Sequence, residues 1–203
     1  MTLESSCYII NPSGDAGLPS SGRALFLDRD GVINVNFGYV HTPDRTAWVP
    51  GIFELCSSAI QAGYGLVVVT NQAGIARGLY TEAQFAVYTD WMLMQFRERG
   101  IDILRVYYCP HHPTAGEGKY RMACECRKPG PGMMRAAAQD FGIDLAASVM
   151  IGDKGSDMQA ARAAGIGTRI LLEDGQDAVP LEDAGAMKVG MLSEARDMLV
   201  AIR

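Results

Sequence analysis

The 203-residue sequence predicts an α/β domain, a doubly wound parallel sheet with helices on both faces. Three observations carry that prediction. Gly65-Leu66-Val67-Val68-Val69-Thr70 is a β-branched apolar run too continuous for a half-exposed strand, which places it centrally in a parallel sheet. Strand-like and helix-like segments alternate along the chain, the pattern of repeated βαβ units. Polar residues collect where the apolar runs stop, and open α/β sheets place their ligands beyond the carboxyl ends of their strands.

The elements follow in order. Residues 1–22, with Asn11-Pro12-Ser13-Gly14 and Pro19-Ser20-Ser21-Gly22, are expected to be a flexible N-terminal extension ahead of a single domain over 23–203. Leu25, Phe26 and Leu27 form a short buried strand that ends in Asp28-Arg29-Asp30-Gly31, a turn in which glycine permits positive φ. Ile52, Leu55, Cys56, Ala59 and Ile60 follow the i, i+3, i+4, i+7, i+8 pattern of a helix opened by Pro50 and closed by Gly63. After the strand at 65–70, Thr81 and Gln84 have capping-box spacing and start a helix that runs to about Gly100. Ile103–Tyr108 is the next strand, and residues 131–141 an Ala- and Met-rich helix. A strand at 148–152, a helix at 156–164 and a strand at 168–172 come next. A loop containing Asp174-Gly175 and Val179-Pro180 then leads to a last short strand and a C-terminal helix from about Ser193. The intervals from Asp28 to Thr70 and from Thr70 to Lys128 hold no separate cap domain, so an open site is expected.

Composition narrows the function. A hydrophobic fraction of 48% with 20% charged residues belongs to a globular chain. The net charge of −5, with no basic run, argues against nucleic acid as partner. No apolar stretch reaches the ~20 residues needed to span a bilayer, and the N-terminus lacks a secretory pattern, so a cytoplasmic protein without a membrane partner is expected.

The strand ends converge on one crevice. Asp28 and Asp30 close the first strand, Thr70-Asn71-Gln72 the second and Gly152-Asp153 a third, while Arg127-Lys128-Pro129 precedes a helix. Two carboxylates this close repel each other unless a cation or a proton lies between them. Phosphoryl transfer satisfies the set: Asp28 as nucleophile, Asp30 as proton carrier, and Thr70 and Lys128 holding the phosphoryl oxygens. Asp28, Asp30 and Asp153 supply the hard oxygen ligands that suit Mg²⁺. Asp157 is expected to support Lys128 rather than bind metal directly.

Five cysteines are unevenly placed. Cys109 with His111 or His112, followed by Cys124 and Cys126, offers three thiolates and an imidazole, a set suited to structural Zn²⁺ in a stapled loop. Spacing alone does not choose between the histidines. Cys56 belongs to a helix core, and Cys7 lies in the extension.

Asp28-Arg29-Asp30-Gly31, Thr70-Asn71-Gln72, Lys128 and Gly152-Asp153-(x)3-Asp157 resemble, in order, the four motifs of the haloacid dehalogenase (HAD) phosphatases. Residues 70–78, Tyr108-Cys109-Pro110-His111-His112-Pro113 and Cys124-x-Cys126-Arg127-Lys128-Pro129 resemble its heptose bisphosphate phosphatase subfamily. The resemblance implies a Mg²⁺-dependent phosphatase with a zinc-bound loop, acting on the 7-phosphate of a heptose 1,7-bisphosphate; a monomer is expected. It favours His111 as the fourth zinc ligand. It puts substrate contacts at Asn36, Phe37, Gly38 and Tyr39, at Asn71, Gln72 and Ala73, and at Arg127 and Lys154. Relatives commonly show Asp-His-Gly-Tyr where this chain has Asn36-Phe37-Gly38-Tyr39, which bears on the sugar accepted. Histidinol-phosphate phosphatases share the motifs, but their loop between zinc pairs is shorter than the Pro113–Ala123 interval. A silent sugar-phosphate-binding module would not need Asp28, Asp30, Lys128 and Asp153 together.

Overall fold

A computed structural model describes residues 7–12, 17, 19–173 and 185–201. Seven strands form one sheet: β1 (Tyr8–Ile10), β2 (Arg23–Leu27), β3 (Tyr64–Asn71), β4 (Ile103–Cys109), β5 (Val149–Gly152), β6 (Thr168–Leu172) and β7 (Met187–Val189). Six α-helices accompany them among the described residues: α1 (Ile52–Gln61), α2 (Ala73–Ala76), α3 (Glu82–Arg97), α4 (Gly132–Phe141), α5 (Gly155–Ala164) and α6 (Leu192–Ala201). The strand order is β1-β4-β3-β2-β5-β6-β7, with every pairing parallel except β1 against β4. The chain leaves β2 for β3 on one side and later returns to β5 on the other. The carboxyl end of β2 is therefore the switch point at which such sheets open a crevice.

Side-chain alternation along β2 divides the core into two layers. Leu25 and Leu27 face a layer closed by Leu55 and Ala59 of α1, Met92 and Phe96 of α3, and Leu199 of α6. Ala24 and Phe26 face the other layer, with Met133 and Met134 of α4 and Met158 of α5. Both faces of the central strands are covered, which is why β3 reads as an unbroken apolar run. Thr81 and Gln84 form the expected capping box on α3.

The extension is not wholly without structure. Tyr8-Ile9-Ile10 adds an antiparallel edge strand in which Tyr8 faces Tyr108, and a Cys7–Cys126 disulfide fastens it to the body. Three β-formers among Ser, Pro and Gly give too short a run to stand out in sequence, and the pairing with β4 supplies what local propensity lacks. The loop expected at 174–180 lies outside the described residues.

Candidate active site

The site forms where β2, β3 and β5 end. Asp28 follows β2 directly, its N–H donating to the Ile151 carbonyl at 3.0 Å. Lys128 arrives from the loop before α4 and places Nζ 2.9 Å from Asp28 Oδ1 and 2.6 Å from Asp157 Oδ1. The same ammonium donates to the Val69 carbonyl at 2.8 Å. All three charged side chains are buried. Burial alone would raise the Asp28 pKa; the Lys128 and Lys154 charges outweigh it and hold the carboxyl below its ordinary range. Burial likewise opposes the Lys128 charge, and Asp157 and Asp28 together drive its pKa upward.

Asp153 completes an acidic cluster. One carboxylate oxygen each from Asp28, Asp153 and Asp157 lies within 4.8 Å of the others. Burial first and the Asp28 charge second push Asp153 up to about 7, with Lys154 opposing through contacts of 2.8 and 3.0 Å. Gly31 makes this approach possible: with φ +99 and no side chain, it admits Asp153 Oδ2 to 2.2 Å of where a Cβ would stand. Crowded hard oxygen donors, one of them inclined to keep its proton, are the chemistry that Mg²⁺ relieves, and the residues fit that ion. Asp157 is a positioning residue within the cluster. Its Oδ2 accepts the Lys154 N–H at 3.0 Å at the start of α5 while its Oδ1 faces Lys128.

Asp30 is held apart from these acids. Its oxygens accept Arg29 Nη2 at 2.8 and 2.7 Å, Asn34 Nδ2 at 3.1 Å and Gln72 Nε2 at 3.1 Å. Asp30, expected among the Mg²⁺ ligands, is not brought into the group formed by Asp28, Asp153 and Asp157, because its carboxylate is taken up by these three neighbours. Arg29 is fully buried, 5.2 Å above the Tyr88 ring and 5.5 Å from that of Phe85, and also donates to the Val40 carbonyl. Sequence reading passed over it, since nothing local marks an arginine between two aspartates as a buried clamp.

A cavity of about 600 Å³ opens over these groups. Of the expected substrate contacts, Asn36, Gly38, Tyr39, Asn71, Gln72, Ala73, Arg127 and Lys154 line it, together with Thr70. Phe37 does not line it and is 55% exposed. Two of the lining side chains are committed to the protein. Asn71 clamps the Lys128 main chain, accepting its N–H and donating to its carbonyl, each at 3.0 Å. Gln72 is buried and donates to Thr70 Oγ1 at 2.8 Å as well as to Asp30, while Tyr80 donates to its Oε1 at 2.6 Å.

The thiol cluster differs from expectation in one residue. Cys109 Sγ lies 3.5 Å from Cys124 Sγ, and His111 Nδ1 lies 3.2 Å from Cys124 Sγ and 3.8 Å from Cys109 Sγ. Burial lowers the His111 pKa, which favours the neutral imidazole that a metal ligand requires. His112 is occupied elsewhere, accepting the Ala115 N–H at 2.9 Å. Cys126, expected as the fourth ligand, is bonded to Cys7 instead. A disulfide sulfur carries no thiolate charge, so three donors fit a metal here and the closed four-donor set does not.

A mainly parallel sheet with no cap domain among the described residues, an Asp-x-Asp at the switch point, and a lysine and a third acid from later loops define a HAD-type hydrolase. The HAD-hydrolase-like family pattern matches residues 125–192. Over 186 residues the chain is 46% identical to D-glycero-beta-D-manno-heptose-1,7-bisphosphate 7-phosphatase of Yersinia pestis, covering 92% of this chain and 98% of that protein. The Vibrio cholerae protein of the same name is 47% identical over 176 residues, 86% of this chain and 93% of that one. Among solved structures, a HAD-like phosphatase from Mesorhizobium loti superposes with TM-score 0.80 at 34% identity, covering 98% of this chain and 96% of that one. The D,D-heptose 1,7-bisphosphate phosphatase of B. bronchiseptica, complexed with magnesium and phosphate, superposes with TM-score 0.74 at 32% identity, covering 89% and 99%. This chain belongs to the D-glycero-beta-D-manno-heptose-1,7-bisphosphate 7-phosphatase family.

Proposed function

We propose that this chain removes the 7-phosphate from D-glycero-β-D-manno-heptose 1,7-bisphosphate, a step in making nucleotide-activated heptose in the cytoplasm. The observation that carries the reading is Lys128 Nζ between Asp28 and Asp157, all three lining one cavity of about 600 Å³. Asp28 attacks phosphorus in line and forms an aspartyl-phosphate as the sugar oxygen leaves. Asp30 gives that oxygen its proton, then takes one from the water that attacks the aspartyl-phosphate. Lys128 and the Thr70 hydroxyl hold the phosphoryl oxygens, whose charge must be supported through the transition state. Asp28 and Asp153 would hold Mg²⁺, which would neutralise phosphoryl charge that the lysine alone leaves uncompensated.

The cavity lining supports a substrate with a second anionic group. Arg127 and Lys154 both line the cavity in addition to the catalytic Lys128, and Asn36 adds no charge to it. The zinc reading is carried by Cys109, His111 and Cys124, with Cys126 as the fourth donor when it is reduced. The enzyme is read as a monomer with no nucleic-acid or membrane partner; among the described residues no helix is long and apolar enough to cross a membrane.

Phosphate release from the heptose bisphosphate, histidinol phosphate and p-nitrophenyl phosphate, each with Mg²⁺, tests the assignment. The bisphosphate is expected to give the highest kcat/KM. A preference for histidinol phosphate overturns it.

A further inference from the structure

We propose that Cys7 and Cys126 form a thiol–disulfide modification site that competes with the metal for Cys126: oxidation withdraws one ligand, and reduction returns it. The metal half of this proposal rests on the zinc reading above; the thiol half does not.

Cys126 belongs to two constellations. It is bonded to Cys7, 119 residues away. It is also buried in the same apolar layer as Cys109, against which Cys7 and Cys124 both pack. The three donors that remain, from Cys109, His111 and Cys124, lie within 4.8 Å of one another and are one short of a tetrahedral set. Strand pairing brings Cys7 to this place. Tyr8, the next residue, registers against Tyr108, the residue before Cys109, and its ring centroid lies 5.6 Å from that of His111. The edge strand β1 thus holds a resolving thiol beside the ligand cluster.

The exchange is chemically complete with a low-molecular-weight disulfide as oxidant. The Cys126 thiolate attacks one sulfur of that disulfide, forms a mixed disulfide and expels one small thiolate. The Cys7 thiolate then attacks the Cys126 sulfur, forms the Cys7–Cys126 bond and expels the second. Two protein thiolates are oxidised and the small disulfide is reduced to two thiolates. The consequence reaches the active site through the chain itself. Arg127 follows Cys126 and donates to the His111 carbonyl at 3.1 Å, and Lys128 comes next.

The test uses the full chain, reduced, loaded with zinc and then exposed to glutathione disulfide. Zinc release is followed with a chromogenic chelator, and the cross-link is mapped by peptide mass. The wild type is expected to release its zinc, about one ion per chain, and to yield a Cys7–Cys126 linked peptide. Cys7→Ser, which alters no group of the active site, is expected to retain zinc at least about tenfold longer, since losing a ligand outweighs losing a supporting partner. Equal release from Cys7→Ser and wild type, or a Cys109–Cys124 bond in place of Cys7–Cys126, overturns the proposal. A reduced chain that takes up no zinc overturns both the zinc reading and the competition. One that takes up zinc but never forms the Cys7–Cys126 bond overturns the exchange alone.

Discussion

Lys128 Nζ and Asp157 Oδ1 stand 2.6 Å apart, with both side chains almost wholly removed from solvent. The carboxylate serves two donors at once, since its other oxygen accepts the Lys154 N–H. An amide can satisfy one of these and turns its NH₂ against the other. Gly152 keeps the arrangement tight, because a Cβ there would meet Asp157 Cβ at 2.4 Å. Asp157→Asn is therefore expected to cost about 3–5 kcal/mol, the range for breaking a buried ion pair, and to lower turnover. Denaturant midpoints measure it; a loss below about 1 kcal/mol would mean that the pair behaves as a surface one.

Asp28→Asn removes the proposed nucleophile without changing side-chain shape, and turnover should fall to background while the fold persists. Asp30→Asn should lose most activity too, because an amide can neither protonate the leaving oxygen nor activate water. Single-turnover assays with folding checked by circular dichroism decide both. Near-normal turnover by Asp28→Asn would remove it as the nucleophile.

Tyr80 acts at one remove. Its hydroxyl holds Gln72 Oε1 at 2.6 Å, so the amide presents its NH₂ to Asp30 and Thr70. Gly74 makes room for the ring, which would come within 2.2 Å of a Cβ there. Without the hydroxyl, the amide is free to flip and turn its oxygen on the Asp30 carboxylate. Tyr80→Phe is expected to lower kcat about threefold to tenfold, the value of one ordinary hydrogen bond, with KM little changed. In a Gln72→Ala background the same substitution should cost nothing further. Additive losses would show that Tyr80 acts by another route.

Much of this was legible in the sequence, and what was not has physical causes. The central strands and their polar ends follow from burial on two faces and the β-to-α alternation, and the sequence already pointed to Asp157 as the support for Lys128. Side-chain direction was not legible. The family resemblance puts substrate contacts at Asn71 and Gln72, and both line the cavity, but only the structure shows that their amides also hold Lys128 and Asp30 with Thr70. The Cys7–Cys126 bond joins residues 119 apart, and cysteine spacing does not determine connectivity.

Glu82, the first residue of α3, fastens the loop before Cys124 to the body. It accepts hydrogen bonds from the hydroxyls of Tyr108 and Tyr120 and an ion pair at 3.3 Å from Lys119. Partial burial opposes its charge, but the hydrogen bonds from Tyr120, Lys119 and Tyr108 outweigh that and leave its pKa below the ordinary 4.5. A carboxyl depressed on folding stabilises the protein above its unfolded pKa, and that contribution is lost as pH falls through the folded value. Glu82→Gln is thus expected to lower Tm at pH 7 by about 2–4 °C, the shift that roughly 1 kcal/mol makes in a chain of this size. The gap from wild type should close as pH drops below 4.5. Thermal melts across that range measure it, and a constant gap would show that the carboxylate charge is not the cause.

In the proposed function Arg127 reads the far end of the substrate. It lines the cavity beside Lys128, and one nitrogen of its guanidinium is anchored on the His111 carbonyl at 3.1 Å, which aims the rest of the fork. With Lys128 assigned to the transferring phosphoryl group in that proposal, the neighbouring cation is available for a second anion. A heptose bisphosphate presents a phosphate at C1 while its 7-phosphate is attacked, and a guanidinium fork matches phosphate oxygens bidentately. Histidinol phosphate carries an amine there, which the arginine would repel. Binding energy from this remote group orients the substrate and raises kcat/KM without entering the chemical step. Arg127→Ala is expected to reduce kcat/KM for the bisphosphate by on the order of 10- to 100-fold, the worth of a charge-assisted hydrogen bond of about 1.5–3 kcal/mol, while p-nitrophenyl phosphate loses little. Steady-state kinetics on the two substrates settle the matter. Equal losses would place Arg127 in support of the catalytic phosphate or of the thiol loop rather than in substrate choice.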